Sequence, residues 1–322
     1  MAQAVTFPAI QAPVTVEVKP RPRWLPAWRR LSHNKPALFG LAVIILLIFT
    51  GIFGPMLAPY NYASQDLNNV LKAPSSTHLL GTDELGRDML TRLIYGARSV
   101  LFVIVVVSLL SLTLGLPLGA LAGYFGGWID TIISRTGEVV NSFPGLLFVL
   151  IVAATIKPGI INWMRNIGLT DFVRSGFADY LVVIVALGVI GWVGLARLVR
   201  GQILALREKD YVLSARAIGL RSWKIILKYL MPNALSPIIV VLSMGLGDIA
   251  LSEGILSYLG IGLQPPNPSW GNIIADNAPI HWRDWPGMIW LVLIPGAVVA
   301  LVVFAFNFFG DGLNEALNPE LY

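Results

Sequence analysis

The sequence of 322 residues contains no cysteine and few charged residues, and both absences restrict the kind of protein it encodes. Without cysteine, the chain forms neither a disulfide framework nor a thiolate metal site. Its three histidines, His33, His78 and His281, are far apart in sequence, so we expect no metal site and no cofactor. Only 13% of the residues are charged and 56% are hydrophobic, a composition that does not suit a soluble globular domain. With a mean hydropathy of +0.71, the chain is expected to lie mostly in lipid.

Several enzyme motifs are also missing. There is no Gly-Lys dipeptide and hence no Walker A loop, no His-Glu-x-x-His and no Gly-x-Ser-x-Gly, so the sequence predicts no catalytic residue. The string Gly245-Leu-Gly-Asp248 matches the Gly-x-Gly-Asp motif of intramembrane aspartyl proteases. Such an enzyme needs two carboxylates on neighbouring helices that share a proton, and no other predicted span has one in its interior.

Long apolar runs dominate the sequence. A helix needs about 20 mostly apolar residues to cross a hydrocarbon core of about 30 Å. Six runs qualify: Leu38–Ala58, Val100–Tyr124, Val139–Ile156, Leu181–Leu198, Leu235–Leu256 and Met288–Phe309. Asn141, Ser142, Pro144 and Gly145 interrupt the start of the third run, which a helix packed among others tolerates. The sequence therefore predicts an all-α integral membrane protein with about six transmembrane helices.

Residues 1–37 form a basic, proline-rich tail with no apolar run near its start, so we do not expect a cleavable signal peptide. Basic residues alternate with large apolar residues towards its end. This pattern suits either a short interfacial segment on an anionic leaflet or a disordered basic tail. The alternating residues are Arg21, Arg23, Arg29, Arg30 and Lys35 with Trp24, Leu25, Trp28 and Leu31.

The distribution of basic residues predicts the orientation. The net charge of +5 could indicate nucleic acid binding, but the basic residues flank apolar runs, as membrane topology requires, so we expect no nucleic acid partner. With the N-terminus inside, fifteen of the 23 Lys and Arg residues are cytoplasmic and eight are external. Both termini are then cytoplasmic, and 59–98, 157–180 and 257–286 are external.

We predict three parts: the tail 1–37, a first helix with its external segment 38–98, and a five-helix core 99–322.

The densest basic segment lies between the fourth and fifth predicted spans and is too long for a simple turn. Tyr211, Ala215 and Gly219 recur every four residues, so a helix here would present a stripe of small residues to another surface. Pro232 then marks the entry to the next span. The basic residues are Arg197, Arg200, Arg207, Lys209, Arg216, Arg221, Lys224 and Lys228.

Within this segment, Leu213-Ser-Ala-Arg-Ala-Ile-Gly219, followed after nine residues by Tyr229-Leu-Met-Pro232, resembles the EAA loop of ABC importer permeases. Ala215, Gly219 and Pro232 match the family pattern, whereas Leu213 stands where Glu is usual. The resemblance implies a cytoplasmic coupling helix, at about 211–228, seated in a groove of the ATPase subunit. By the same resemblance, the ATPase contacts are expected at Tyr211, Ala215, Arg216, Gly219 and Trp223. The alternative is a surface helix without a partner.

Further motifs are similar to the "C-type" permeases of dipeptide, oligopeptide and nickel importers. The resemblance covers about residues 36–320 and implies a type I ABC importer permease in a prokaryotic inner membrane. The implied partners are a second permease, two ATPase subunits and an external solute-binding protein. The solute would be a di- or oligopeptide, with nickel chelate, glutathione or an oligosaccharide as alternatives. The motifs are His78–Asp88, Tyr95–Arg98, Gly123–Asp130, Gln264–Pro266, Ser269–Gly271, Phe309–Leu313 and Asn318–Pro319.

Two sets of residues inside the spans stand out. Gly115, Gly119 and Gly123 form a small-xxx-small row that lets two helices approach closely, in this chain or between two permeases. Asp248 and Glu253 are carboxylates inside an apolar span, where a charge is expensive and normally faces a cavity. We expect one or both to line the translocation path or to pair with a basic residue of a partner. A secondary transporter is the remaining rival, but it predicts an inverted repeat, which we do not find.

Overall fold

In a computed structural model, residues 24–283 and 288–317 are described, and they form helices joined mostly by short connections, with a long segment without α-helix at 58–88 before α3. Within these ranges no strand is present, apart from one isolated bridge between Thr82 and Asp88. The helices are α1 (Trp24–Leu31), α2 (Lys35–Leu57), α3 (Met89–Phe125), α4 (Gly127–Asn141), α5 (Gly145–Asn166), α6 (Thr170–Arg174), α7 (Phe177–Arg207), α8 (Asp210–Ala217), α9 (Ser222–Ile225), α10 (Met231–Tyr258), α11 (Trp270–Arg283) and α12 (Trp290–Leu317).

Six helical stretches of the described chain are long and apolar enough to cross a membrane, which confirms the predicted number. They are α2, α3, α5, α7, α12 and a continuous helix of residues 222–258 that joins α9 and α10 through a π-helical turn at Ile226–Leu230. Several are longer than the apolar runs: α3 begins at Met89, where Asp88 accepts a hydrogen bond from the Thr91 amide as its N-cap. Because this cap satisfies a free backbone N–H group of the first turn, α3 can begin well before its apolar run does.

The third predicted span is wrong at its start. Residues before Asn141 belong to α4, a separate helix that packs on α3 and α7, and the membrane-spanning helix α5 begins only at Gly145. Pro144 explains the break, because it lacks an N–H group and disfavours helical geometry in the residue before it. The external segment expected at 157–180 is also largely helical, as the end of α5, α6 and the start of α7.

The glycine row of α3 packs against α7 of the same chain. A Cβ atom at Gly115 would lie 2.9 Å from the Leu195 Cβ atom, and one at Gly123 would lie 2.8 Å from the Ile203 Cβ atom. Gly119 lies between them, and a Cβ atom there would be 2.7 Å from the Val199 Cβ atom. The two helix backbones therefore approach as closely as a small-xxx-small row permits.

Replacing Gly119 with alanine is expected to destabilise the protein, because the added methyl group overlaps α7 and forces the two long helices apart. Overpacking of this kind costs about 1 to 3 kcal/mol. Gly201 lies on α7, and a Cβ atom added there would meet no atom within 4 Å, so Gly201→Ala is the matched control and should be neutral or slightly stabilising. Thermal unfolding of both purified variants in detergent measures the difference. Equal melting temperatures would contradict the close α3–α7 packing.

The N-terminal helix α1 is attached to the end of α12. Leu31 is buried against Ala37 and Ala316, and the Asn34 side-chain amide donates to the Glu315 carboxylate at 2.7 Å. The exposed residues of α1 include Trp28, Arg29 and Arg30. Residues 1–23, with most of the predicted tail, lie outside the described residues. An interfacial position of α1 on an anionic leaflet stays a prediction.

Candidate coupling surface and translocation cleft

The segment that follows α7 is a short helix and a turn rather than one long helix. α8 ends at Ala217, and Gly219 follows with a φ of +78°, a left-handed conformation that glycine adopts without strain. The Gly219 amide donates to the Arg216 carbonyl and the Leu220 amide donates to the Ala215 carbonyl, which closes the helix end. The expected helix at 211–228 is therefore wrong in extent, because Gly219 terminates it.

The stripe of small residues predicted on this helix is also wrong. Ala215 and its neighbour Val212 are buried in a core cluster with Ile203 and Leu230 of the same chain. Gly219 lies outside the helix, so it cannot extend a helical face. Large apolar side chains are exposed instead: Tyr211 by 39%, Leu213 by 44%, Trp223 by 54%, Leu227 by 61% and Ile218 by 77%. We call these five residues the coupling surface.

Arginines fasten α8 and the end of α7 to the end of α3. The Arg216 guanidinium lies over the Tyr124 ring, 4.9 Å from its centroid, in a cation–π contact. The Arg207 guanidinium donates to the Gly123 carbonyl at 3.1 Å. These two contacts connect α8 and the end of α7 to the end of α3. The predicted contact residue Arg216 is accordingly placed towards α3 of its own chain.

A bidentate ion pair joins α4 to α7 beside these contacts. Arg200 donates to both carboxylate oxygens of Asp130, through its Nη2 atom at 2.6 Å and through its Nε atom. The hydrogen bond from Arg200 lowers the pKa of the Asp130 carboxyl below its usual value, against the opposing effect of burial. The motif Gly123–Asp130 thus holds α3, α4 and α7 together.

A cleft of about 450 Å³ lies among α3, α5, α7 and α10. Most of its lining is aliphatic, with Ser108, Ser111, Ser252 and Asp248 as polar exceptions. The Asp248 side chain is exposed, and within the described ranges no side chain forms an ion pair with it. A carboxylate on the wall of an otherwise apolar cleft can attract a cationic group without a protein cation competing for it.

Glu253 does not line this cleft. Its side chain is fully buried, and its Oε1 atom accepts hydrogen bonds from the Ser257 and Ser269 hydroxyls, both at 2.7 Å. No lysine or arginine of the described chain pairs with it. The expectation that Glu253 borders the path or meets a basic residue of a partner is corrected, because its own chain covers it.

An ion-pair network on the opposite side from α8 holds the segment before α3. Asp83 is fully buried and accepts from Arg87 Nε and Arg92 Nη1, both at 2.6 Å. Both arginines also donate from Nη2 to Asp276 Oδ2 on α11, Arg87 at 3.1 Å and Arg92 at 3.0 Å. Burial raises the pKa of neighbouring Glu84, and the charges of Asp276 and Asp83 raise it further. Sequence reasoning missed this network, although the spacing of Asp83 and Arg87 was a partial signal.

The fold and these sites together define a class. Six membrane-crossing helices, a cleft among them and exposed apolar side chains on the segment outside them suit a membrane transport subunit. Residues 115–321 match the family of binding-protein-dependent transport system inner membrane components, and residues 23–74 match the N-terminal transmembrane domain of oligopeptide transport permease C. The chain belongs to the family of binding-protein-dependent inner membrane permeases.

Relatives and a solved structure agree with this membership. The dipeptide transport system permease protein DppC of Bacillus subtilis is 39% identical over 92% of this chain and 85% of its own length. The glutathione transport system permease protein GsiD of Pectobacterium atrosepticum is 34% identical over 96% of this chain and 95% of its own length. A structure of the methionine ABC transporter MetNI in inward-facing conformations matches with a TM-score of 0.52 at 20% identity, covering 71% of this chain and 98% of that chain, and supports the fold.

These findings confirm the predicted family and the type I importer fold. The chain is a multi-pass inner membrane permease and not an enzyme, since in this family ATP hydrolysis belongs to partner subunits. The secondary transporter considered from the sequence is therefore wrong. The roles of individual residues and the orientation in the membrane stay predictions.

Proposed function

We propose that this permease forms the solute path of an ATP-driven importer for dipeptides or oligopeptides. Asp248 carries the proposal, because an exposed and unpaired carboxylate on the cleft wall suits the ammonium terminus of a peptide. The name of the dipeptide permease relative supports the same solute class. Nickel chelate, glutathione and an oligosaccharide are the competing solutes, and the glutathione permease relative keeps the second of these in the test.

The proposed assembly contains this chain, a second related permease, two ATPase subunits and an external solute-binding protein. Both termini and α8 are cytoplasmic in this arrangement, and the ion-pair network of Asp83 is external. The coupling surface docks in the ATPase subunit, and closure of the ATPases moves α8. The Arg216–Tyr124 and Arg207–Gly123 contacts pass that movement to α3 and so to the cleft. The division into 1–37, 38–98 and 99–322 stays a prediction.

Replacing Asp248 with asparagine is expected to lower peptide uptake several-fold, because the neutral isostere removes most of the attraction for an ammonium group. N-acetylated peptides should be affected less. Ser252→Ala, which removes a neutral polar group from the same cleft, is the matched control. Uptake by liposomes that contain the whole complex is measured with peptides and with each competing solute. Equal loss for free and acetylated peptides would contradict a charge-based role, and uptake of a competing solute alone would contradict the peptide proposal.

The orientation predicts opposite labelling of two engineered cysteines in a chain that has none. Ser76 and Glu208 are both exposed, Ser76 in the segment before α3 and Glu208 directly after α7. In sealed right-side-out vesicles, an impermeant thiol reagent should label Ser76→Cys, whereas Glu208→Cys should react only after permeabilisation. The reverse pattern would invert the topology.

A further inference from the structure

The buried carboxylate of Glu253 connects two parts of the chain that are distant in sequence. Ser257, one turn later on α10, donates its hydroxyl to Glu253 Oε1, and Ser269, beyond the end of α10, donates to the same oxygen. Ser257 is 1% exposed, and Ser269 and Glu253 are fully buried. This oxygen therefore ties the end of residues 259–269, which we call the α10–α11 loop, to α10.

The same serines organise the rest of the α10–α11 loop. The Leu263 amide donates to Ser257 Oγ at 2.9 Å, so Ser257 joins Glu253 to the middle of the loop. At the other end, Asn272 Oδ1 accepts from the Ser269 amide at 3.0 Å, and its Nδ2 atom donates to the Asn267 carbonyl at 2.8 Å. Removing the Glu253 acceptor would leave two buried hydroxyls without their partner, which loosens both attachments.

Backbone contact fixes α11 next to Glu253. A Cβ atom at Gly271 would overlap the Gly254 carbonyl and lie 2.9 Å from the Gly254 Cα atom. The first turn of α11 therefore lies on the α10 backbone beside Glu253. Only glycine at 271 permits this approach, so the loop has little freedom while the hydrogen bonds are in place.

The α10–α11 loop also reaches the helices that form the cleft. Asp248 and Ser252, which line the cleft, precede Glu253 on α10. At the usual rise per residue, Asp248 and Glu253 are about 7.5 Å apart along the helix axis. On the other side, the Asn267 side-chain amide donates to the Ser175 carbonyl at 2.7 Å, just before α7 begins. The loop thus bridges the ends of two helices that line the cleft.

We propose that Glu253 is a positioning residue that holds the α10–α11 loop on the end of α10, so that a partner docking on the loop moves the cleft helices. The proposal rests on the proposed function, in which this face is external and meets the solute-binding protein. Glu253 acts here as a hydrogen-bond acceptor, and its charge and direct contact with solute are not required. The conservative variant Glu253→Gln keeps an oxygen acceptor for both serines, whereas Glu253→Leu keeps the volume and removes it.

The test uses the complete transporter with its ATPase subunits, reconstituted in liposomes. Hydrogen exchange of the peptide that contains Leu263 should be at least tenfold faster in Glu253→Leu than in the unmodified complex, and near normal in Glu253→Gln. Stimulation of ATP hydrolysis by the solute-binding protein should be lost in the leucine variant and retained in the glutamine variant. Ser243→Ala is the control on α10, because within the described chain the Ser243 hydroxyl donates to the Ile239 carbonyl one turn earlier and to no other element.

Two results would overturn the proposal. If stimulation of ATP hydrolysis were equally impaired in Glu253→Gln and Glu253→Leu, the charge of Glu253 would be required and not only its acceptor oxygen. Normal loop exchange or normal stimulation in assembled Glu253→Leu complexes, even at reduced yield, would mean that the acceptor does not position the loop for docking. Failure of the proposed function is distinguishable from these results. In that case the unmodified complex itself would show no stimulation of ATP hydrolysis or no peptide uptake.

Discussion

The variant Ile218→Asp is expected to bind the ATPase subunits at least about 30-fold more weakly than the unmodified permease. Ile218 is 77% exposed directly after α8, on a segment that also exposes Tyr211 and Trp223, so we expect a partner to cover its side chain. Loss of one of the few hot-spot residues of an interface costs about 2 kcal/mol or more, and each 1.4 kcal/mol is tenfold in affinity. An aspartate at position 218 would also have to lose its hydrating water molecules on binding, which weakens the complex further.

The experiment measures ATPase subunits that co-purify with tagged permease, together with solute-stimulated hydrolysis. Leu79→Asp is the matched control, because Leu79 is an aliphatic residue, 61% exposed, in the segment before α3 on the opposite side. A substitution at Gly219 would be a poor test of docking, since the φ of +78° strains any side chain there and the helix end itself would distort. Normal co-purification of Ile218→Asp would reject the coupling surface.

The variant Asp83→Ala is expected to lower the stability of the folded permease by about 3 to 5 kcal/mol, the typical cost of removing one partner from a buried ion pair. Arg87 and Arg92 both donate to Asp83 at 2.6 Å, and both are almost fully buried. Without Asp83, Asp276, whose side chain is 22% exposed, would be the one ion-pair partner left to both guanidinium groups among the described residues. One carboxylate cannot compensate two buried charges.

Thermal unfolding in detergent compares this variant with Glu138→Ala, which breaks the exposed Arg135–Glu138 pair at 2.8 Å and should cost about 1 kcal/mol or less. Asp83→Asn adds a second comparison. Asparagine keeps an oxygen for the Leu85 and Arg87 amides but removes the charge. The Asp83→Asn variant should therefore be destabilised nearly as much as Asp83→Ala. Full stability of Asp83→Asn would mean that the turn, and not the ion pairs, depends on Asp83.

The number of spans was predictable because hydropathy acts locally: a run of apolar residues enters lipid whatever its neighbours are. Helix ends were less predictable. Pro144 separates α4 from α5, and Gly219 follows the end of α8 instead of extending a helical stripe, since glycine commonly terminates helices. Both residues are ordinary helix-ending signals, but the apolar or small-residue pattern on either side of each favours one continuous helix.

Amino-acid sequence by itself determined the membrane class, the family, the six spans and the presence of a close-packing glycine row. Tertiary structure decided which surfaces those residues meet. Asp248 and Glu253 are five residues apart, about 140° around a helix, so they cannot share one face, but only packing places Asp248 on the cleft and Glu253 under the α10–α11 loop. The pairing of Arg87 and Arg92 with Asp276 likewise joins residues far apart in the chain. Such contacts depend on which helices become neighbours, and that follows from the packing of the whole chain.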